Sequence, residues 1–186
     1  MKKLQIGIIG SAGWEEYPGR KKPDKKAFQT AYEIGKLVAQ NDAVLICGGK
    51  GGVMEEACRG AKENNGITAG VISGNERRQS NPYVDVEVVS GMVNNGEEAL
   101  IISMSDGIVA IGGGSGTLQE IATAYRSRKP IVALKGIKGW ADKLANTYLD
   151  EREIIKIDIA NTPKEALLLL LKRIKFLGKA SIYDKN

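Results

Sequence analysis

Histidine is absent from the 186-residue chain. That gap excludes Ser-His-Asp and Cys-His nucleophile systems, imidazole acid–base catalysis and histidine-ligated metals. Cysteine is scarce too: Cys47 and Cys58 stand at a spacing that no metal motif uses, so no metal site is expected and both read as free thiols. Aromatic residues make up 5% of the chain and are scattered. The basic stretches Arg20-Lys21-Lys22, Lys25-Lys26 and the C-terminal lysines therefore lack the interleaved rings that stack on bases, which argues against nucleic acid as a partner. The net charge of +5 then reads as solvated surface with a preference for small anions. No run approaches the roughly 18 apolar residues of a membrane span. The N-terminal apolar stretch is short and glycine-broken, which fits a first strand better than a secretory leader. A cytoplasmic protein is the expectation. Any catalysis has to use carboxylates, lysine, tyrosine or backbone amides.

What the chain has is glycine, 23 residues of it, concentrated where short apolar runs end. The runs Leu4 to Ile9, Ala43 to Cys47, Ile67 to Ile72, Val84 to Val89, Gly107 to Ile111, Ile131 to Leu134 and Ile154 to Ile157 read as strands. Helical patterns alternate with them. The first follows a cap at Asp24, with Ala27, Ala31, Ile34, Leu37 and Val38 as its apolar stripe. The second runs from Val53 to Glu63 and stops at Asn64-Asn65-Gly66. Others span Glu97 to Met104, Thr117 to Arg128 and Gly139 to Tyr148. Thr162-Pro163-Lys164-Glu165 is a capping box that opens a terminal helix reaching about Phe176. Strict alternation predicts an α/β fold: a Rossmann-like, doubly wound parallel sheet with helices on both faces, in a single domain over residues 1–186.

Ligands in such sheets bind beyond the carboxyl ends of the strands, where strand order reverses. Glycine loops leave three of those ends: Gly10-Ser11, Gly48-Gly49-Lys50-Gly51-Gly52 and Gly112-Gly113-Gly114-Ser115-Gly116. A helix follows each of the last two, so its free N–H groups and dipole favour an anion over the loop. Gly10, Ser11, Gly48, Gly49, Gly51, Gly52, Gly113, Gly114, Ser115, Gly116 and Thr117 are thus the candidate phosphate-binding residues, with Lys50 as a nearby charge. The standard motifs do not fit. A dinucleotide fingerprint would need glycine where Thr117 stands and an acid at the end of the second strand, which is Ile46-Cys47, so NAD is not expected. A P-loop needs Ser or Thr after its lysine, and Gly51 follows Lys50. A nucleophile elbow around Ser115 also fails at Thr117.

The residues do resemble a known family. Gly113-Gly114-Ser115-Gly116-Thr117-Leu118-Gln119-Glu120 is similar to the GG-x-GT-x-x-E signature of LOG proteins, once labelled lysine decarboxylases. Gly48 to Glu55 resembles the first glycine loop of the same superfamily. Ile6-Gly7-Ile8-Ile9-Gly10-Ser11 and Gly139-Trp140 resemble the branch related to the molybdenum-cofactor carrier protein and, more distantly, DNA-processing protein A. The resemblance implies a homo-oligomer built on a dimer. It also implies that Glu120 assists N-glycosidic cleavage, as carboxylates do at sugars. Read from spacing alone, Thr117-x-x-Glu120 is instead a capping box. LOG enzymes carry an arginine nine residues before the aspartate matching Asp106; here that position is Glu97, and Met92 to Met104 contains no arginine or lysine. A carboxylate repels phosphate.

The leading expectation is therefore a protein that binds a nucleotide or phosphorylated cofactor at two glycine-loop anion sites, without LOG-type turnover. Two alternatives stay open: a nucleoside 5′-monophosphate phosphoribohydrolase dependent on Glu120, and a molybdenum-cofactor carrier whose cargo is a pterin phosphate. Arg126 and Arg128 are candidates for a cation lent to the site by a partner chain. Glu55 and Glu56 read as first-turn dipole partners, and Trp14 and Trp140 as packing residues or flanks of a flat ligand.

Overall fold

The alternating pattern closes into one sheet. The computed structural model describes residues 2–13, 25–92 and 96–183. Seven strands form it: β1 (Gln5–Gly10), β2 (Val44–Cys47), β3 (Ile67–Ile72), β4 (Val86–Val89), β5 (Gly107–Ile111), β6 (Ile131–Leu134) and β7 (Ile157–Ala160). All pairings between them are parallel, in the order β4-β3-β2-β1-β5-β6-β7. The helices are α1 (Lys25–Gln40), α2 (Val53–Lys62), α3 (Glu97–Met104), α4 (Ser115–Arg126), α5 (Trp140–Leu144) and α6 (Pro163–Tyr183).

The period of two along each strand divides the core between two faces. Ile6 and Ile8 of β1, Val109 and Ile111 of β5, and Val132 and Leu134 of β6 pack under α1, α2 and α6. Ile9, Ile108, Ala110, Ile131 and Ala133 belong to the opposite layer, with Ile101, Ile121 and Tyr125 from α3 and α4. Strands buried on both faces must be apolar throughout, which is why their sequence reads as continuous runs.

Helices α1 and α2 cross at glycine. A Cβ on Gly35 would lie 1.8 Å from Ala57 O, and one on Gly60 would lie 2.0 Å from Tyr32 O. This close crossing brings α2 against β1 and carries the second glycine loop to the sheet centre.

Several element limits differ from expectation, among them β4, which opens at Val86 rather than Val84, and the Asp24 cap lies outside the described residues. Helix α4 starts at Ser115 because Gly114 takes the N-cap conformation (φ −99°, ψ −148°). Strand β7 begins at Ile157, not Ile154, because the Ile154 amide donates to Tyr125 Oη at 3.0 Å instead of to a neighbouring strand. Helix α5 ends at Leu144, where Ala145 turns extended. Helix α6 runs on to Tyr183. Half of its capping box forms: Thr162 Oγ1 accepts from the Glu165 amide at 3.2 Å, while the Glu165 carboxylate accepts the Asn161 amide at 2.8 Å, one residue before the cap.

Alanine at Gly35 or Gly60 should separate α1 from α2. Each variant is expected to lose about 3 kcal/mol or more in urea unfolding, in the range of overpacked cores. A loss under about 0.5 kcal/mol would show that the crossing can relax.

Candidate functional site

Strand order reverses at β1, which pairs with β2 on one side and β5 on the other. The carboxyl ends of these three strands carry the three glycine loops. Ser11 ties the loops together. Its carbonyl accepts the Val53 amide at 3.0 Å, and its Oγ accepts the Gly113 amide at 2.9 Å. Gly52 packs so closely that a Cβ there would lie 2.4 Å from Ser11 O. From the far side, the amides of Trp140 and Ala141 donate to Gly113 O and Gly112 O at 3.0 and 2.9 Å. That contact gives the Gly139-Trp140 pair its role.

Above this clamp, Gly112 and Gly113 take positive φ, 63° and 89°, and the chain turns from strand into α4. The first helical bond runs from the Leu118 amide to Gly114 O at 3.1 Å. The amides of Ser115, Gly116 and Thr117 precede it and have no helical carbonyl to bond. A Cβ on Gly116 would meet nothing within 4 Å.

The second loop is held from β2 and from the β3–β4 connection. The Gly49 amide donates to Cys47 Sγ at 3.3 Å. Asn81 Nδ2 donates to the carbonyls of Gly49 and Lys50, at 3.0 Å each. The loop carrying Asn81 is itself gathered by Glu87, whose carboxylate accepts the amides of Gln79 and Ser80 at 3.0 and 2.9 Å. Bonds from Ser80 and from the Arg78 and Gln79 amides hold Glu87 down at about 2. Beneath the loop, the buried sulfurs of Cys47 and Cys58 lie 3.5 Å apart. The hydrogen bond and burial together push the Cys58 thiol far above its ordinary value.

The loops and helix ends enclose a cavity of about 440 Å³, a volume suited to a small-molecule ligand. Of the candidate residues, Gly10, Gly48, Lys50, Gly114, Ser115, Gly116, Thr117 and Glu120 line it. Ser11, Gly49, Gly51, Gly52 and Gly113 do not line it, and the Gly113 amide is already committed to Ser11. Ala12, Met54, Ile101 and Gln119 complete the wall together with two acids, Glu97 and Glu98.

Three carboxyls therefore share one cavity. With Gly114 as N-cap, Thr117 falls inside the first turn and Glu120 a turn further on, so they form no capping box. Glu120 is buried. Loss of water raises its pKa well above the ordinary carboxyl value, and repulsion from Glu98, Cys47 and Glu97 adds to the rise. Burial also raises Glu98, opposed by its own amide; Glu97 adds to the rise and Lys50 lowers it. The Oε2 atoms of Glu97 and Glu98 are buried without a hydrogen-bond partner among the described residues.

Other candidates stand elsewhere. Glu56 pairs with Arg59 at 2.6 Å on the surface of α2. Lys143 covers the Trp140 ring at 4.6 Å. Arg126 and Arg128 are exposed at the end of α4 remote from the cavity. Trp14 and Arg20-Lys21-Lys22 lie outside the described residues. Among the described residues no group of three His, Cys, Asp or Glu could hold a metal ion, and no helix is long and apolar enough to cross a membrane. Sequence reasoning missed Glu98 and Asn81. The signal for Glu98 was two adjacent acids heading the apolar run Ala99 to Ile102.

A carboxyl that binds its proton more tightly when folded makes the native state lose stability as pH rises from the unfolded value through the folded one. Glu120→Gln should therefore melt with the parent near pH 4. By pH 8 it should melt several degrees above it, at about 2–4 °C per kcal/mol for a chain this size. A melting difference independent of pH would mean that Glu120 titrates normally.

The comparisons agree with this architecture. A protein of Archaeoglobus fulgidus described as uncharacterized is 33% identical over 135 residues, covering 73% of this chain and 82% of its own. The molybdenum cofactor binding protein of Rippkaea orientalis superposes with a TM-score of 0.79 at 28% identity, over 94% of this chain and 99% of its own. The molybdenum cofactor carrier protein of Chlamydomonas reinhardtii gives 0.77 at 28% identity, with the same coverage. DNA processing protein A of Helicobacter pylori, at 19% identity and a TM-score of 0.64, covers 91% of this chain and 80% of its own and shares the fold alone. The family model for the SLOG cluster4 family matches residues 3–167, and the chain belongs to that family.

Proposed function

We propose that this chain binds a small phosphorylated ligand in the cavity and carries it intact, the cargo being a pterin phosphate of the molybdenum-cofactor class. The observation that carries this reading is the N-terminus of α4. Its amides open on the cavity at the switch point, and the Gly116 position leaves room for close approach. Lys50 adds a positive charge to the wall. Two structural relatives are named for the molybdenum cofactor that they bind or carry. Holding without cleavage is supported by the acidic part of the wall: Glu97 stands where LOG enzymes have a cationic arginine, and it lines the cavity.

A second reading, hydrolysis of a nucleoside monophosphate, draws on Glu120. A buried carboxyl with a raised pKa in a cavity can act as a general acid toward a leaving base. Nucleoside monophosphates incubated with the protein should remain intact under the carrier reading. Release of free base, abolished by Glu120→Gln, would establish the hydrolase instead.

An assembly built on a dimer belongs to the same proposal. Arg126 lies about 16 Å along α4 from its first residue at 1.5 Å per residue, so it serves a cavity by way of a second chain. Light scattering in solution checks the assembly; a monomer removes these arginines from the site.

Gly116→Ala separates binding from folding. Its Cβ enters the cradle without meeting protein atoms, and alanine is favoured over glycine in a helix by up to about 1 kcal/mol. The melting temperature should hold or rise, while the stabilisation given by neopterin monophosphate disappears. Retained stabilisation would place the phosphate away from α4.

A further inference from the structure

Glu97 and Glu98 head α3, each more than nine-tenths buried; both line the cavity, and in each the Oε2 atom is buried with no hydrogen-bond partner among the described residues. An orphaned buried acceptor is costly in a native protein, and a ligand donor is the direct way to satisfy it. A phosphate is the wrong group for this wall, because it brings acceptors and negative charge. A bound divalent cation is also disfavoured, since the acids do not converge into a metal-holding group among the described residues. What remains is a flat, neutral edge rich in N–H donors, in the same cavity as the amides of α4.

We propose that the Glu97–Glu98 wall binds the donor edge of a 2-amino-4-oxopyrimidine ring, the edge that a pterin and a guanine share. That edge presents a ring N–H and an exocyclic amine side by side, which suits acceptor oxygens. Next to them it presents a carbonyl, which needs a donor. Glu120 lines the same cavity. Burial and its acidic neighbours keep its proton on, so it supplies that donor. Three like groups thus become one donor and two acceptors, the complement of the ring edge. Adenine offers an amine beside a ring acceptor and leaves one carboxylate unsatisfied. Hypoxanthine lacks the amine. The inference rests on the carrier reading only for the phosphate; the ring edge is read by separate residues.

Unphosphorylated probes test the wall by itself. Neopterin, guanosine, inosine and adenosine are titrated by calorimetry against the whole protein, then against Glu97→Gln and Glu98→Gln, with melting curves to confirm folding. Sites built to hydrogen-bond an N–H reject analogues lacking it strongly. Neopterin or guanosine should bind at least tenfold tighter than adenosine, with inosine between. Each folded variant should shrink that preference at least fivefold. Preference for neopterin over guanosine would identify the pterin as the source of the edge, and the reverse a guanine nucleotide. Equal binding of guanosine and adenosine, no binding of any probe, or a preference that survives both variants would overturn the assignment, as would magnesium ion displacing the probes. Repeating the series with the 5′-monophosphates tests the other half: no gain from phosphate would sink the carrier reading and leave the edge assignment standing.

Discussion

Everything at the cavity depends on Ser11. One residue supplies two acceptors, its carbonyl to the amide that starts α2 and its hydroxyl to the amide of Gly113. These two bonds fix the second and third glycine loops relative to β1, and the α5 amides brace the third loop from behind. The sequence pattern made Ser11 a ligand contact, yet it sits outside the cavity lining. It holds the ligand-facing residues in place from below.

On that frame two opposed electrostatic surfaces meet. One is the start of α4 with Lys50, which favours anions. The other is the wall of Glu97, Glu98 and Glu120, which disfavours them. A cavity meant only for phosphate would not tolerate the second surface. The proposed ligand, with a charged tail and a neutral hydrogen-bonding head, would use both. The raised Glu120 carboxyl follows from the same crowding: removing water and placing acids beside it favours its protonated form.

Most of the architecture was legible because strands buried on both faces leave long apolar runs, and glycine marks where they end. β3, α3, β5 and β6 match the sequence reading residue for residue. The reading slipped where tertiary partners override local pattern. Ile154 looks like strand, but the Tyr125 hydroxyl takes its amide. Thr117 looks like a cap, but Gly114 turns the chain first. In the site, Gly10, Gly48 and Gly114 to Thr117 were legible as glycine-loop residues. Glu98 and Asn81 were not: an acid at a helix start reads as a dipole partner, and nothing local says that Asn81 reaches back to Gly49 and Lys50. Glu97 was noticed only for the arginine it replaces.

The bond between Ser11 and Gly113 spans 102 positions. The cavity therefore has no local precursor. It comes into being only when β5 docks beside β1, across the α1, β2, α2, β3, β4 and α3 elements that separate them in the chain. A partly folded chain has nothing to offer a ligand, so occupancy acts on the finished sheet alone and adds its full mass-action term to the native state. Under the proposed carrier function, loading then doubles as an inspection of assembly: only molecules whose two halves have joined can be filled, and the filled ones come apart last.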